Sequence, residues 1–391
     1  MEQMATKALL TPPPTPVPAA PQMIVEVARA HGVSPFRQMR EMWAVRRGPG
    51  QLKSHEYHAS GVYDPELQME EKKTFVGEMG SFKLNLKLSP ADLTPLRAFI
   101  RDKAMYAALL DRLGARTTHT QAVVHPNRAF GNIPVLRDPQ AIIDFLTNDA
   151  AYPLFGKPCE GSKSVGSALI TGLEGNMLRL GNGREVDLDG FAHELVADYP
   201  EGFILQSAVQ QHPDMTAITG PAVGTLRIVT LRDENGAKVL YSLWKLPSPS
   251  AMSDNFWQAG SMVAQVGDDG VVTRCKRGTG LAAEWIDTHP VSGKAIVGAQ
   301  IPHWDAVHKL ALDNHMLFPE FGVFGWDIAV DADGPLVVEC NANPFHTLYQ
   351  IATGEGALNP RHMARFEATM AYSQELRKRR FELEKAQKKA V

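Results

Sequence analysis

Residues 325–341 read GWDIAVDADGPLVVECN, two apolar runs broken by Asp331-Ala332-Asp333-Gly334. Strand periodicity places Trp326, Ile328 and Val330 on one face and Asp327 on the other. In the second run, Glu339 and Asn341 share a face. So short a turn predicts an antiparallel hairpin with Asp327 across from Glu339 or one position off. Two carboxylates and an amide oxygen converging on a strand pair form a hard-oxygen site suited to Mg²⁺ carrying phosphates. The competing reading, surface carboxylates on a half-exposed sheet, fits poorly with such dense apolar neighbours.

A second strand, GTLRIVTL, buries Leu226 and Ile228 on one face and turns Thr225, Arg227 and Val229 to the other. An arginine within an apolar strand needs an anionic partner, either a structural carboxylate or a ligand phosphate. Lys245, in LWKLP, poses the same question on the next strand, and residues 254–260 (DNFWQAG) read as an exposed polar loop. Upstream, Lys157 ends a strand before Gly161-Ser162-Lys163-Ser164-Val165-Gly166. Such a loop suits an anion, because glycines let backbone N–H groups approach it and serines and lysines add donors. A plain hairpin turn with a surface lysine reads equally well there. GxxxxGK[ST] and GxGxxG are both absent, and Gly220 to Thr225 has neither the spacing nor the lysine. A P-loop or Rossmann reading therefore lacks its glycines.

Composition excludes whole classes. With 44% hydrophobic and 21% charged residues over 391 positions, the chain is neither disordered throughout nor a fibrous repeat. Forty Lys+Arg against 43 Asp+Glu give a formal charge of −3, which excludes a global basic field for nucleic acid. Cys159, Cys275 and Cys340 have no zinc or disulfide spacing and suit a reducing compartment. No apolar run approaches the ~18 residues of a bilayer span, and Met1-Glu2-Gln3 does not open a secretory signal. A cytoplasmic protein without a membrane span or nucleic-acid partner is the expectation.

Residues 11–22 hold six of the 27 prolines and read as an extended, poorly ordered lead rather than a docking motif. Helical spacings follow over residues 23–48, broken at Gly32-Val33-Ser34-Pro35, where Ser34 can cap the next helix. His55 and His58 in HEYH have no third ligand nearby and read as surface or packing histidines. A helical pair over residues 90–113 ends at Gly114. Short β-rich runs then mix with helices without a βαβ repeat, which predicts an α+β fold. The closing helix, about 361–390, carries a net charge of +4 after residue 372 and reads as a solvated end.

The order RDKAMYAALLDRLG, FGKPCEGSKSVG, FILQSAVQQHP, GTLRIVTL, SDNFWQAG, THPVSGKAIVG, FGWDIAVDADGPLVVECNANP resembles the ATP-grasp superfamily. The similarity lies with its sugar-transfer-associated branch, related to α-L-glutamate ligases and more distantly to D-alanine–D-alanine ligase. It covers roughly residues 85–360. The resemblance implies two α+β lobes gripping ATP with Mg²⁺ or Mn²⁺, and a carboxylate–amine ligase acting on small molecules through an acyl phosphate. It further suggests cell-surface polysaccharide or peptide modification. An ATP-grasp kinase acting on a hydroxyl and a non-catalytic nucleotide-binding module are the alternatives.

The resemblance also implies roles. Lys103 and Lys157 would reach the phosphates or the adenine end, and Gly161, Ser162, Ser164 and Gly166 would form the flap. At the hinge, Gln206, Ser207 and Val209 would meet adenine, with Asp214 on the ribose and His212 its rival. Arg227 and Lys245 would hold the γ-phosphate and Asn255 the intermediate, while Asp327, Glu339 and Asn341 would bind metal. The hinge glutamine departs from an acidic residue common in relatives, and Lys245 stands where relatives often carry arginine. The implied organisation is a disordered tail at 1–22, a helical extension at 23–85 and a core opening at 86–150. A small lobe with the flap at 151–210, a larger lobe at 211–360 and a basic helix at 361–391 complete it.

Overall fold

The computed structural model describes residues 20–160, 166–248 and 251–390. Five helices open it: α1 (Ala20–His31), α2 (Pro35–Arg47), α3 (Ser54–Ala59), α4 (Met69–Lys72) and α5 (Glu78–Leu88). α1 begins at Ala20, so the last three residues of the stretch read as an extended lead are helical. Pro21 is tolerated there because the first turn of a helix has no partner for its N–H. Ser34 caps α2 by accepting from the Arg37 N–H, with Pro35 at the first helical position. Val27, Val45, Leu52, Tyr57 and Phe75 form a small core between these helices.

α6 (Arg97–Arg101) and α7 (Lys103–Arg112) follow. Asp102 caps α7 by accepting from the Met105 N–H. Gly114, at φ +79°, takes the chain out of that helix in a conformation that glycine alone adopts cheaply.

Two seven-stranded sheets make up the rest. The first holds β1 (Thr120–Val124), β2 (Val135–Leu136), β3 (Leu154–Pro158), β4 (Ala168–Glu174), β5 (Met177–Leu180), β6 (Glu185–Asp187) and β7 (Phe203–Ser207). Its spatial order is β2-β1-β7-β3-β4-β5-β6. Only β1 and β2 run parallel. α8 (Pro139–Asn148) and α9 (Leu188–Asp198) cover one face, packing Ile142, Phe145, Phe191 and Leu195 against Leu154, Ile170 and Leu205.

The second sheet holds β8 (Leu226–Asp233), β9 (Gly236–Leu246), β10 (Met262–Val266), β11 (Val272–Arg277), β12 (Glu284–Trp285), β13 (Val323–Asp331) and β14 (Gly334–Asn341). It is antiparallel throughout, in the order β12-β11-β10-β9-β8-β13-β14. Before β8 comes α10 (Pro213–Thr219); α11 (Trp304–His315), α12 (Thr347–Thr353) and α13 (Pro360–Ala390) complete the helices. Alternation divides the strands as the sequence predicts. Leu226, Ile228, Trp326, Ile328 and Val330 join α11 in one core, while Val229, Leu231 and Leu243 join α12 and α13 in another. The result is the expected α+β architecture with a helical N-terminal region.

The N-terminal helices brace the segment after β14. Asn85 of α5 donates through Nδ2 to the Pro344 carbonyl at 2.8 Å, and Arg97 of α6 donates to the Ala342 carbonyl at 2.6 Å. Pro344 also lies over Gly325 of β13, where an added Cβ would come within 2.7 Å of the proline ring. These contacts fix the chain just after Asn341.

Candidate active site

A cleft of about 790 Å³ lies between the sheets, lined by β3 and β7 on one side and by β8, β9, β13 and β14 on the other. Its chemistry centres on Asp327. β13 pairs with β14 in the register Asp327↔Glu339 and Gly325↔Asn341, and with β8 in the register Asp327↔Arg227. Asp327 therefore stands between an arginine and a glutamate on its two neighbouring strands. Arg227 donates through Nε to Asp327 Oδ1 at 2.7 Å and through Nη2 to Oδ2 at 3.0 Å. Lys245 Nζ lies 3.2 Å from Asp327 Oδ1 and 2.9 Å from Asp254 Oδ2.

Electrostatics follow from this packing. Burial works against the Asp327 carboxylate, but Arg227 and Lys245 outweigh it and hold the carboxyl down at about 2. Burial likewise disfavours charge on Lys245, yet Asp254 and Asp327 more than compensate and raise its pKa. Lys157 has no such ion-pair partner among the described residues. Burial dominates there, Glu339 only partly offsets it, Lys103 adds repulsion, and the ammonium is pulled down to about 8.

Lys157 donates to the Val338 carbonyl at 3.3 Å. That carbonyl is available because the β13–β14 register steps from Asp327↔Glu339 to Ile328↔Val337, leaving Val338 as a bulge. Lys103, first residue of α7, lies 3.8 Å from Glu339 Oε1. A cation at a helix N-terminus opposes the helix dipole by about 0.3–1 kcal/mol, so helix stability does not explain its placement. Glu339 keeps partial exposure, and the Asn341 Nδ2, although buried, has no hydrogen-bond partner among the described residues.

The structure thus gathers Lys103, Lys157, Arg227, Lys245, Asp327, Glu339 and Asn341 into one cleft. Asn255 joins them, its Oδ1 accepting from the Trp257 N–H at 3.2 Å. Gln206, Ser207 and Val209 line the same cleft. The Ser207 N–H donates to the His119 carbonyl at 2.9 Å, and the Ala208 N–H to the Pro153 carbonyl at 2.9 Å. Gly166, at φ +78°, packs against Tyr199, whereas Gly161, Ser162 and Ser164 lie outside the described residues.

Asp214 sits in the first turn of α10 with an exposed side chain beside His212, and it borders a separate, smaller pocket with Met215 and Ile218. The His212 ring accepts from the Asp214 N–H at 3.2 Å. Sequence reasoning missed Asp254, which accepts from the Thr225 hydroxyl and N–H and pairs with Lys245. Its signal was an acid opening the polar loop just after the Lys245 strand. Of the two histidines read as packing or surface residues, His58 is buried against Gln38, while His55 is exposed and borders the cleft together with Glu78.

Among the described residues no three His, Cys, Asp or Glu side chains gather to cage a metal ion. Two carboxylates and an amide are nevertheless a fitting donor set for a divalent cation that brings phosphate oxygens with it. The unpartnered Asn341 Nδ2 is an N–H donor, so it fits an acceptor oxygen such as a phosphate's and leaves the cation to the amide oxygen.

The fold and this cleft define an α+β protein whose cations converge between two sheets. The chain belongs to the sugar-transfer associated ATP-grasp family, whose profile matches residues 90–365. No curated protein matches it in sequence. Solved structures that it matches include the ATP-grasp ligase PsnB complexed with precursor peptide PsnA2 and AMPPNP, at 15% identity and TM-score 0.35, over 71% of this chain and 61% of that one. The D-alanine–D-alanine ligase from Coxiella burnetii matches at 13% identity and TM-score 0.42, over 74% and 62%. The D-alanine–D-alanine ligase from Bacillus anthracis complexed with ATP matches at 13% identity and TM-score 0.39, over 72% and 69%. The chain spans less than two thirds of the length of the first two structures.

Proposed function

We propose that the protein is an ATP- and Mg²⁺-dependent carboxylate–amine ligase. The observation that carries the reading is the convergence of Lys103, Lys157, Arg227 and Lys245 around the Asp327–Glu339–Asn341 strand pair. Cations this concentrated in a buried cleft suit a polyphosphate, and family membership makes that polyphosphate ATP. Asp327, Glu339 and Asn341 would hold Mg²⁺, which when bound neutralises charge on the phosphates.

The side chains divide the remaining work. Lys103 and Lys157 would hold the phosphates that stay on the nucleotide, with Gly161, Ser162, Ser164 and Gly166 closing over them. The Ser207 carbonyl and Val209 N–H, beside Gln206, would meet the adenine edge. Arg227 and Lys245, fixed in place by Asp327 and Asp254, would stabilise charge on the transferred phosphoryl group. Asn255 would steady the activated carboxyl group.

In the reaction proposed, a substrate carboxylate oxygen attacks the γ-phosphorus, and ADP leaves with the electron pair of the broken P–O bond. The amine nitrogen then attacks the acyl carbon, loses a proton and expels inorganic phosphate, leaving an amide. His55 and Glu78 from the N-terminal helices, with Trp257, line the cleft outside the cation cluster and would face the amine-bearing substrate.

The test is ATP turnover against a panel of amino acids and uronic acids, each with and without an amine. Phosphate release that requires both partners, with an amide product, supports ligation. A stable phosphorylated hydroxyl compound would instead identify a kinase, and binding without turnover a nucleotide-sensing module.

A further inference from the structure

α2 carries its bulkiest apolar side chains on the outside. Its inward face buries Gln38 and Glu41 beside Val45, whereas Phe36, Met39 and Trp43 are 77%, 60% and 59% exposed. Polar contacts hold the helix down. Glu41 accepts from the Tyr57 hydroxyl at 2.6 Å, from Lys72 Nζ at 2.7 Å and from Arg37 Nε at 2.9 Å. Gln38 donates to the Val33 carbonyl at 2.8 Å and the Ile24 carbonyl at 2.9 Å. The three large apolar side chains contribute little to this packing.

Their arrangement is ordered. At 3.6 residues per turn, Met39, Trp43 and Phe36 fall within an arc of about 60°. Exposed Arg46 flanks one edge of that arc, and exposed Arg47 and Arg40 flank the other. The Arg47 guanidinium lies 3.9 Å from the centre of the Trp43 ring. The helix exposes no acid, since its one carboxylate, Glu41, is buried.

We infer that α2 docks the protein on an anionic lipid surface. Tryptophan, phenylalanine and methionine on a helix lying in the interface bury into the headgroup–acyl boundary, and the arginine rim meets lipid phosphates. Each basic residue near such a surface strengthens attachment roughly fivefold, so the three arginines matter as much as the apolar stripe. A second copy of the chain would bring arginine rim against arginine rim. The exposed face of a single 13-residue helix is also narrow beside the ~800 Å² per partner of a stable protein interface. This inference does not depend on the ligase reading.

The experiment is flotation of the full chain with phosphatidylcholine vesicles, with and without phosphatidylglycerol. Binding is expected only to the anionic vesicles and should weaken as salt rises. The Phe36→Ser/Met39→Ser/Trp43→Ser variant should lose roughly tenfold or more of that affinity with an unchanged thermal midpoint. Arg40→Gln/Arg46→Gln/Arg47→Gln should lose the salt-sensitive part. No binding to anionic vesicles would overturn the proposal. So would binding that survives the apolar variant but is lost when Lys385, Lys388 and Lys389 of α13 are replaced, or self-association that the apolar variant abolishes.

Discussion

Arg227 and Asp327 face each other on adjacent antiparallel strands and close a two-point ion pair, at 2.7 and 3.0 Å, with Lys245 as a second cation on the same carboxylate. Asp327 thereby fixes two of the four cations that the proposed reaction needs. Asp327→Asn leaves Arg227 and Lys245 buried without their shared counter-charge. Removing one partner of such a pair costs about 3–5 kcal/mol, so a urea unfolding curve should shift by that order and ATP turnover should vanish. Because the Asp327 pKa is lowered, its contribution to stability is present above pH ~4 and disappears as pH falls through about 2.

Glu339 is partly exposed and pairs with Lys103 at 3.8 Å. Glu339→Gln should therefore leave the unfolding midpoint almost unchanged while removing metal-dependent ATP turnover. Full activity in this variant would rule out Glu339 as a metal ligand.

Lys157 is half-protonated near pH 8, because burial disfavours its charge more than Glu339 restores it. Above that pH the cleft loses a cation, and binding a polyphosphate must draw a proton back. Nucleotide affinity should fall as pH rises past about 8, approaching roughly tenfold per pH unit. Calorimetry in buffers of different ionisation enthalpy should detect the proton uptake. Lys157→Ala should bind ATP markedly more weakly and lose this pH dependence.

Three buried histidines brace the second sheet and the segment beyond β14. His315 bonds Thr230 at 2.7 Å and the Phe321 carbonyl at 2.9 Å, and His346 bonds Tyr241 at 2.9 Å. His362 lies against the Ala357 carbonyl at 3.1 Å. Burial lowers their pKa values to about 4, about 3 and about 4. The unfolded chain binds protons at these sites near pH 6.5 and the folded chain does not, so stability is lost as pH drops below ~6.5. Each site should cost on the order of 1–2 kcal/mol by pH 5, measurable as a fall in the urea midpoint between pH 7 and pH 5.

Local pattern carried much of this site. Alternation over residues 325–341 predicts the hairpin with Asp327 across from Glu339 or one position off, and the strands pair Asp327↔Glu339; an arginine in an apolar strand predicts an anionic partner, and Arg227 meets the carboxylate of Asp327. What escaped depends on long-range folding. Asp254 reaches Lys245 only because the loop after β9 folds back over its own strand. The bulge at Val338, which supplies the carbonyl for Lys157, has no sequence signature at all.

In the proposed reaction a carboxylate is activated by phosphorylation between these sheets. Once a productive carboxylate–amine pair is found, the direct measurement is turnover with the carboxylate labelled by ¹⁸O. Attack of that oxygen on the γ-phosphorus, followed by displacement by the amine, predicts one ¹⁸O atom in the inorganic phosphate for each amide formed. Unlabelled phosphate accompanying amide formation would contradict the account.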